Sequence, residues 1–85
     1  YAYVADGLSG LQVIDISNPS SPEIIGSVDT PGEARDVYIS GSYAYVADLV
    51  KGLQVIDISN PSGPEIIGSV RTLGLANDVY VSGSY

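Results

Sequence analysis

One 42-residue unit occurs twice in this chain: residues 1–42 align without a gap on residues 43–84, and Tyr85 begins a third copy. Of the 42 aligned positions 33 are identical, and the nine that differ are 7, 8, 9, 21, 29, 31, 33, 35 and 39 of the first copy. A fixed period of this length, in units too small to bury an apolar face alone, restricts the chain to a solenoid, a propeller or a stacked array.

A domain of 85 residues buries only about 60 to 65% of the surface that its unfolded chain exposes, and no cysteine is present to compensate. The core is therefore expected to need neighbouring repeats. Ten glycines, five prolines and seven tyrosines as the only aromatics, beside many valines and isoleucines, are the composition of strands and turns. Ten acidic residues against Arg35, Lys51 and Arg71 give a net charge of −7. That charge repels phosphate backbones and anionic lipid surfaces, so nucleic acid is not an expected partner. No run approaches the roughly 18 apolar residues of a spanning helix, and membrane insertion of this segment is not expected. Because the chain opens in mid-repeat, it is expected to be a window on a longer repetitive protein, and the lack of a leader then says nothing about compartment.

Each unit divides into four strand-length apolar runs. YAYVAD (residues 1–6) leads through Gly7, Leu8, Ser9 and Gly10 into LQVIDI (residues 11–16) as a hairpin. SNPSSP (residues 17–22) reads as a rigid turn, because Asn18 before Pro19 offers local side-chain hydrogen bonds and the two prolines fix φ. EIIGSVD (residues 23–29) is the third run, TPGEAR (residues 30–35) connects it to DVYIS (residues 36–40), and Gly41 and Ser42 turn into the next copy. No window holds a 3.6-residue apolar period, so no helix is predicted.

YAYVA and LQVI are apolar on both faces, as strands are in a sheet sandwiched between two others. Only EIIGSVD alternates, which marks it as the outermost strand. The predicted fold class is all-β: propeller blades, each a four-stranded antiparallel sheet ordered DVYIS, YAYVAD, LQVIDI, EIIGSVD outward from the centre, closed only with further repeats or other chains.

YVAD, then GLQVIDISNPSSPEIIGSVDTPG, then DVYISGSYAYVAD resemble the LVIVD repeat, and the resemblance spans both copies. It implies a β-propeller, an extracellular or cell-surface setting, and a binding or scaffolding role with no shared catalytic residues. The repetition is also similar to that of other surface-layer and designed propeller repeats.

In an antiparallel meander the loops after YAYVAD and after EIIGSVD emerge on one face, and SNPSSP and Gly41-Ser42 emerge on the other. Seven of the nine differences lie on the first face, from Gly7 against Leu49 to Arg35 against Asn77, and they alter charge and polarity. Variable loops on a fixed scaffold are where recognition resides; neutral drift in exposed loops is the plainer account. The candidate binding residues are Leu8, Ser9, Glu33 and Arg35 with their counterparts Val50, Lys51, Leu75 and Asn77.

Asp36 and Asp78 open the innermost strands, where one carboxylate per blade would ring a channel mouth. Capping of backbone N–H groups is preferred over a cation site. Asp15 and Asp57 are expected to brace the turn before Ser-Asn-Pro, and Asp6 and Asp48 to close the first hairpin. The D-G-L-S-G spacing lacks the alternating oxygen ligands of a calcium loop, so neither metal nor cofactor is predicted. With no histidine or cysteine and no base near the turn serines, the chain is read as non-enzymatic. Tyr1, Tyr3, Tyr43 and Tyr45 are expected to pack between blades, and Tyr38 and Tyr80 to line the channel.

The sequence thus predicts a binding or scaffolding segment, with a protein or carbohydrate ligand at the loop face. The alternative is a purely structural ring or fibre subunit, natural or engineered, with no ligand. On either reading the strand edges are expected to pair with adjacent repeats or other copies of the chain. Three or four copies of two blades each would close a ring of about six or eight blades.

Overall fold

Seven of the apolar runs form strands in the computed structural model, which describes residues 1–83: β1 (Ala2–Ala5), β2 (Leu11–Asp15), β3 (Glu23–Val28), β4 (Asp36–Ser40), β5 (Tyr43–Ala47), β6 (Leu53–Asp57) and β7 (Glu65–Val70). The described residues contain no helix. Ser84 and Tyr85, the end of the second copy and the start of a third, lie outside the described residues.

The strands make two antiparallel sheets, ordered β1-β2-β3 and β4-β5-β6-β7. The second is a complete propeller blade with DVYIS innermost and EIIGSV outermost, as the alternation implied. The first lacks an innermost strand, and residues 78–82 run on past the second without a ladder of their own. Between β4 and β5 the turn has two residues, Gly41 and Ser42, and pairs Ser40 with Tyr43. Both outermost strands carry a bulge at the same place: Val13 faces Gly26 while Ile14 faces Ile24, and Val55 faces Gly68 while Ile56 faces Ile66. The extra residue, Ile25 or Ile67, increases the local twist of the blade edge.

The core lies between the two sheets. Leu11 and Val13 of the first sheet and Ala44, Val46 and Ile56 of the second are all fully buried, and Ile58 nearly so. Tyr3, Ala5, Val37 and Ile39 pack against this cluster. In each blade one face therefore carries residues such as Tyr3, Leu11 and Val13, and the opposite face carries residues such as Ala44, Val46, Gln54 and Ile56. Each kind of face docks on the other kind. The same positions without a neighbour are open: Val4 and Ile16 in the first sheet are exposed, and Leu53 and Val55 in the second are only half-buried.

Close backbone approach fixes the spacing of the blades. A Cβ on Gly26 would overlap the Pro61 carbonyl oxygen, and one on Gly32 would overlap the Asp48 carbonyl oxygen, so both positions require glycine. The second copy's SNPSGP turn lies against the first copy's outermost strand in this way, with Pro64 buried and its counterpart Pro22 exposed. The tyrosines correct one expectation: Tyr3 packs in the junction and Tyr45 is half-buried, but Tyr1 and Tyr43 are exposed, because they stand at strand ends beyond the reach of the neighbouring sheet. Tyr38 meets Tyr80 edge-to-face, with ring centroids 5.3 Å apart.

Candidate functional site

The loop after β1 and the connection after β3 share one end of the molecule, held by paired backbone hydrogen bonds. Gly7 and Ala34 exchange N–H···O bonds of 2.9 and 3.0 Å, and Leu49 and Ala76 exchange two of 2.9 Å. Residues 30–35 then run between the first blade's loop and the second blade's, where Arg35 donates its N–H to the Ala47 carbonyl at 2.8 Å. Along this face the order is Leu8 and Ser9, Glu33 and Arg35, Val50 and Lys51, Leu75 and Asn77. The eight candidate residues thus fall in one row of four loops.

The connection alternates. Thr30, Gly32 and Ala34 are the same in both copies, whereas Asp29, Pro31, Glu33 and Arg35 all differ in the second. Thr30 and Ala34 are buried; Asp29, Pro31 and Arg35 are exposed. Thr30 and Ala34, which are kept, thus face the blade junction, and Asp29, Pro31 and Arg35, which vary, face solvent.

The outward residues differ in chemistry between the copies. In the first, Arg35 donates to the Glu33 carboxylate at 2.9 Å in an exposed ion pair. In the second, Leu73 is fully exposed, Leu75 is 62% exposed and Val50 48%. Leu8 is also exposed, and Asn77 donates to the Leu75 carbonyl. Lys51 is half-buried because its stem lies over Gly32 at the blade junction, so it serves packing as well as the face. Gln12 and Gln54 donate to the Ser9 and Lys51 carbonyls and brace both hairpin loops from the strand.

Beneath this face sits a residue that the sequence reading placed in a hairpin. Asp48, fully buried, accepts the Thr30 hydroxyl at 2.7 Å and the Gly32 N–H at 2.9 Å, and so ties the second blade to the connection leaving the first. Its counterpart Asp6 is exposed, and its carboxylate accepts no hydrogen bond among the described residues. Thr30 and Gly32 are 18 and 16 residues away, beyond any local turn pattern. The signal in the sequence was their invariance between copies inside an otherwise varied loop.

Asp36 accepts a backbone N–H of the next repeat, that of Val79 at 3.2 Å, and Asp78 accepts the same N–H at 2.9 Å. The Asp78 carboxyl lies beside it. A hydrogen bond from Asp78, together with the Val79 N–H, holds Asp36 below the ordinary carboxylate range, and the shared bond with Asp36 raises Asp78. Asp15 and Asp57 brace the turns as expected, each accepting a serine N–H, from Ser17 and Ser59, at 2.9 Å. Those bonds lower both carboxyls. Each also faces a glutamate across the strands, Asp15 with Glu23 and Asp57 with Glu65, along a shallow polar cleft. Two acidic residues therefore line each of these clefts, which spacing alone had not indicated. No group of three or more potential metal ligands occurs among the described residues.

A comparison with the curated proteins finds no match, and a comparison with solved structures finds none either. The model of the LVIVD repeat matches residues 1–30 and 31–72. Its boundary falls inside the connection between blades, so its second unit coincides with the complete blade β4 to β7. With the match covering most of the chain, and with the strand order of a propeller blade in both sheets, this protein belongs to the LVIVD repeat family.

Proposed function

We propose that the chain is a non-enzymatic propeller segment whose loop face binds a protein or carbohydrate ligand, in an extracellular or cell-surface setting. One observation carries the reading: the apolar side chains of this face stay outside where blades are already stacked. Pro31 lies at a completed junction and is exposed, and so is Val50. Leu73, the counterpart of Pro31, is therefore not a side chain that blade packing covers. Exposed leucine and valine next to an Arg–Glu pair, on loops pinned by backbone hydrogen bonds, offer a rigid apolar surface with a polar rim. The surface setting is supported by the family, whose repeats occur in surface proteins.

The test is a graft. Leu73→Pro, Leu75→Glu and Asn77→Arg, with Val50→Leu, give the second copy the first copy's residues at four exposed positions of the face. Stability should change by no more than about 1 kcal/mol in urea unfolding, because these side chains are exposed. Binding to whichever ligand is selected from glycan and peptide arrays should be lost. A ligand bound equally well by the graft would refute the face. The structural alternative, a ring or fibre without a ligand, is favoured if the arrays select none.

A further inference from the structure

We propose that the loop face of the second copy docks a short acidic polypeptide segment, with Lys51 and Arg71 taking its carboxylates and Val50 and Leu73 its aliphatic side chains. The proposal rests on the reading of this face as the binding surface and names the partner that fits it. Charge is spread unevenly over the molecule. Asp15, Glu23, Asp57 and Glu65 stand at the end that carries the SNPSSP and SNPSGP turns, with no cation among them, whereas Arg35, Lys51 and Arg71, the chain's three cations, all lie at the loop end. At the seven varied positions of that end the first copy has Asp29, Glu33 and Arg35, a net single negative charge, and the second has Lys51 and Arg71, two positive charges and no carboxylate. Among the described residues the one ion pair joins Arg35 to Glu33, so neither Lys51 nor Arg71 is neutralised by a neighbour.

The backbone brings the two cationic segments together. Leu49 and Ala76 exchange N–H···O bonds, and a Cβ on Gly52 would overlap the Val70 carbonyl and stand 2.8 Å from the Arg71 Cα. The hairpin loop of Val50 and Lys51 therefore adjoins the connection of Arg71 and Leu73. Exposure belongs to these positions in a completed junction: Asp29 and Pro31, the counterparts of Arg71 and Leu73, are exposed where the second blade already stacks on the first, and so is Leu8, the counterpart of Val50. Two features favour a polypeptide over a glycan. None of residues 7–10, 29–35, 49–52 and 71–77 is aromatic, so the face offers no ring for a sugar to stack on, while exposed aliphatic side chains within a polar rim make a protein-binding patch. The chain as a whole carries −7, and an extended polyanion would meet that charge beyond the patch. A short segment with a few carboxylates meets the two cations alone, because the rest is screened over about 8 Å at physiological ionic strength. Complementary charge of this kind steers the encounter and sets which partner is accepted.

The experiment selects from a phage-displayed library of short random peptides and from a glycan array against the 85-residue chain, and measures the selected ligands by fluorescence anisotropy. Peptides with aspartate or glutamate next to leucine, isoleucine or valine should be enriched. Arg71→Asp, which puts the first copy's residue at an exposed position, should weaken them about tenfold or more, since it sets like charge against like. Leu73→Ser should weaken them about fivefold, as a partly covered leucine is lost from the interface. A peptide with one of its carboxylates changed to lysine should recover affinity for Arg71→Asp. If Arg71→Asp loses strand content by circular dichroism, Arg71→Gln removes the charge without reversing it and should weaken the peptides in the same direction. Selected peptides that are neutral or basic, acidic peptides that bind Arg71→Asp as they bind the unaltered chain, or a glycan selected in their place would each overturn the proposal. The loop face still stands in those cases if the graft of Leu73→Pro, Leu75→Glu, Asn77→Arg and Val50→Leu abolishes the binding. Where no ligand is selected, or where the graft binds as well as the unaltered chain, the loop face falls together with the proposal.

Discussion

The Asp48 carboxylate sits out of water with the Thr30 hydroxyl and the Gly32 N–H as its hydrogen-bond donors. Removing it leaves the buried Thr30 hydroxyl and the half-buried Gly32 N–H without their acceptor, so Asp48→Ala should lower stability by about 3 kcal/mol in urea unfolding. Asp6→Ala, at low concentration, should change it by no more than about 0.5 kcal/mol. Equal effects would show that the carboxylate acts within its own hairpin and not across blades. Asp36 and Asp78 make a different pair, exposed enough to respond to pH. Asp78 is raised in the folded chain by its bond to Asp36 and by that neighbour's charge, so the folded state takes up this proton before the unfolded state does. Stability therefore gains as pH falls through the raised value. Asp36, Asp15 and Asp57 are lowered; their contributions are present above the ordinary carboxylate value and are lost as pH falls below it. Asp78→Asn should raise Tm at neutral pH by removing the like charge, and the gain should shrink as the pH is lowered toward the raised Asp78 value. A gain that is the same at every pH would show that the two carboxyls titrate separately.

At the scale of the element, the strand order was legible in the sequence because each apolar run ends in residues that disfavour a strand: Gly7 and Gly10, then Asn18, Pro19 and Pro22, then Gly41. The single alternating run marked the outer edge correctly. The bulge at Ile25 was not legible, because Glu-Ile-Ile-Gly reads equally as regular pleat, and only the partner strand reveals which isoleucine is extra. Neither was the facing of two acidic residues across the outer pair, since that depends on register. Asp15 stands opposite Glu23 and Asp57 opposite Glu65, and directly opposed like charges weaken a pair of strands. Glu23→Lys together with Glu65→Lys should stabilise the chain by about 0.5 kcal/mol per site, more at low ionic strength than at high. An effect that is independent of salt would point to side-chain packing and not to charge.

For the whole molecule, the repeat announced that no unit carries its own core, and the buried cluster between the sheets, from Leu11 to Ile58, shows where that core is made. The eight loop residues were located by their differences, and the junction beneath them was overlooked because its residues do not differ. Within residues 29–35 the two properties alternate position by position, so the segment that varies and the segment that joins the blades are one stretch of chain. This layout bears on how such a chain can lengthen. Because the two kinds of docking face lie on opposite sides of one unit, any stretch of 42 codons brings both with it, whatever its first residue. Duplication cut at residue 30, as the family's unit is drawn, or at residue 42, as the alignment is drawn, adds the same blade with the same two junctions. Unequal crossing-over between copies this alike inserts or deletes whole blades while leaving every remaining junction intact. Blade number is then free to change by a single recombination event, while the latch of aspartate, threonine and glycine holds the stacking constant.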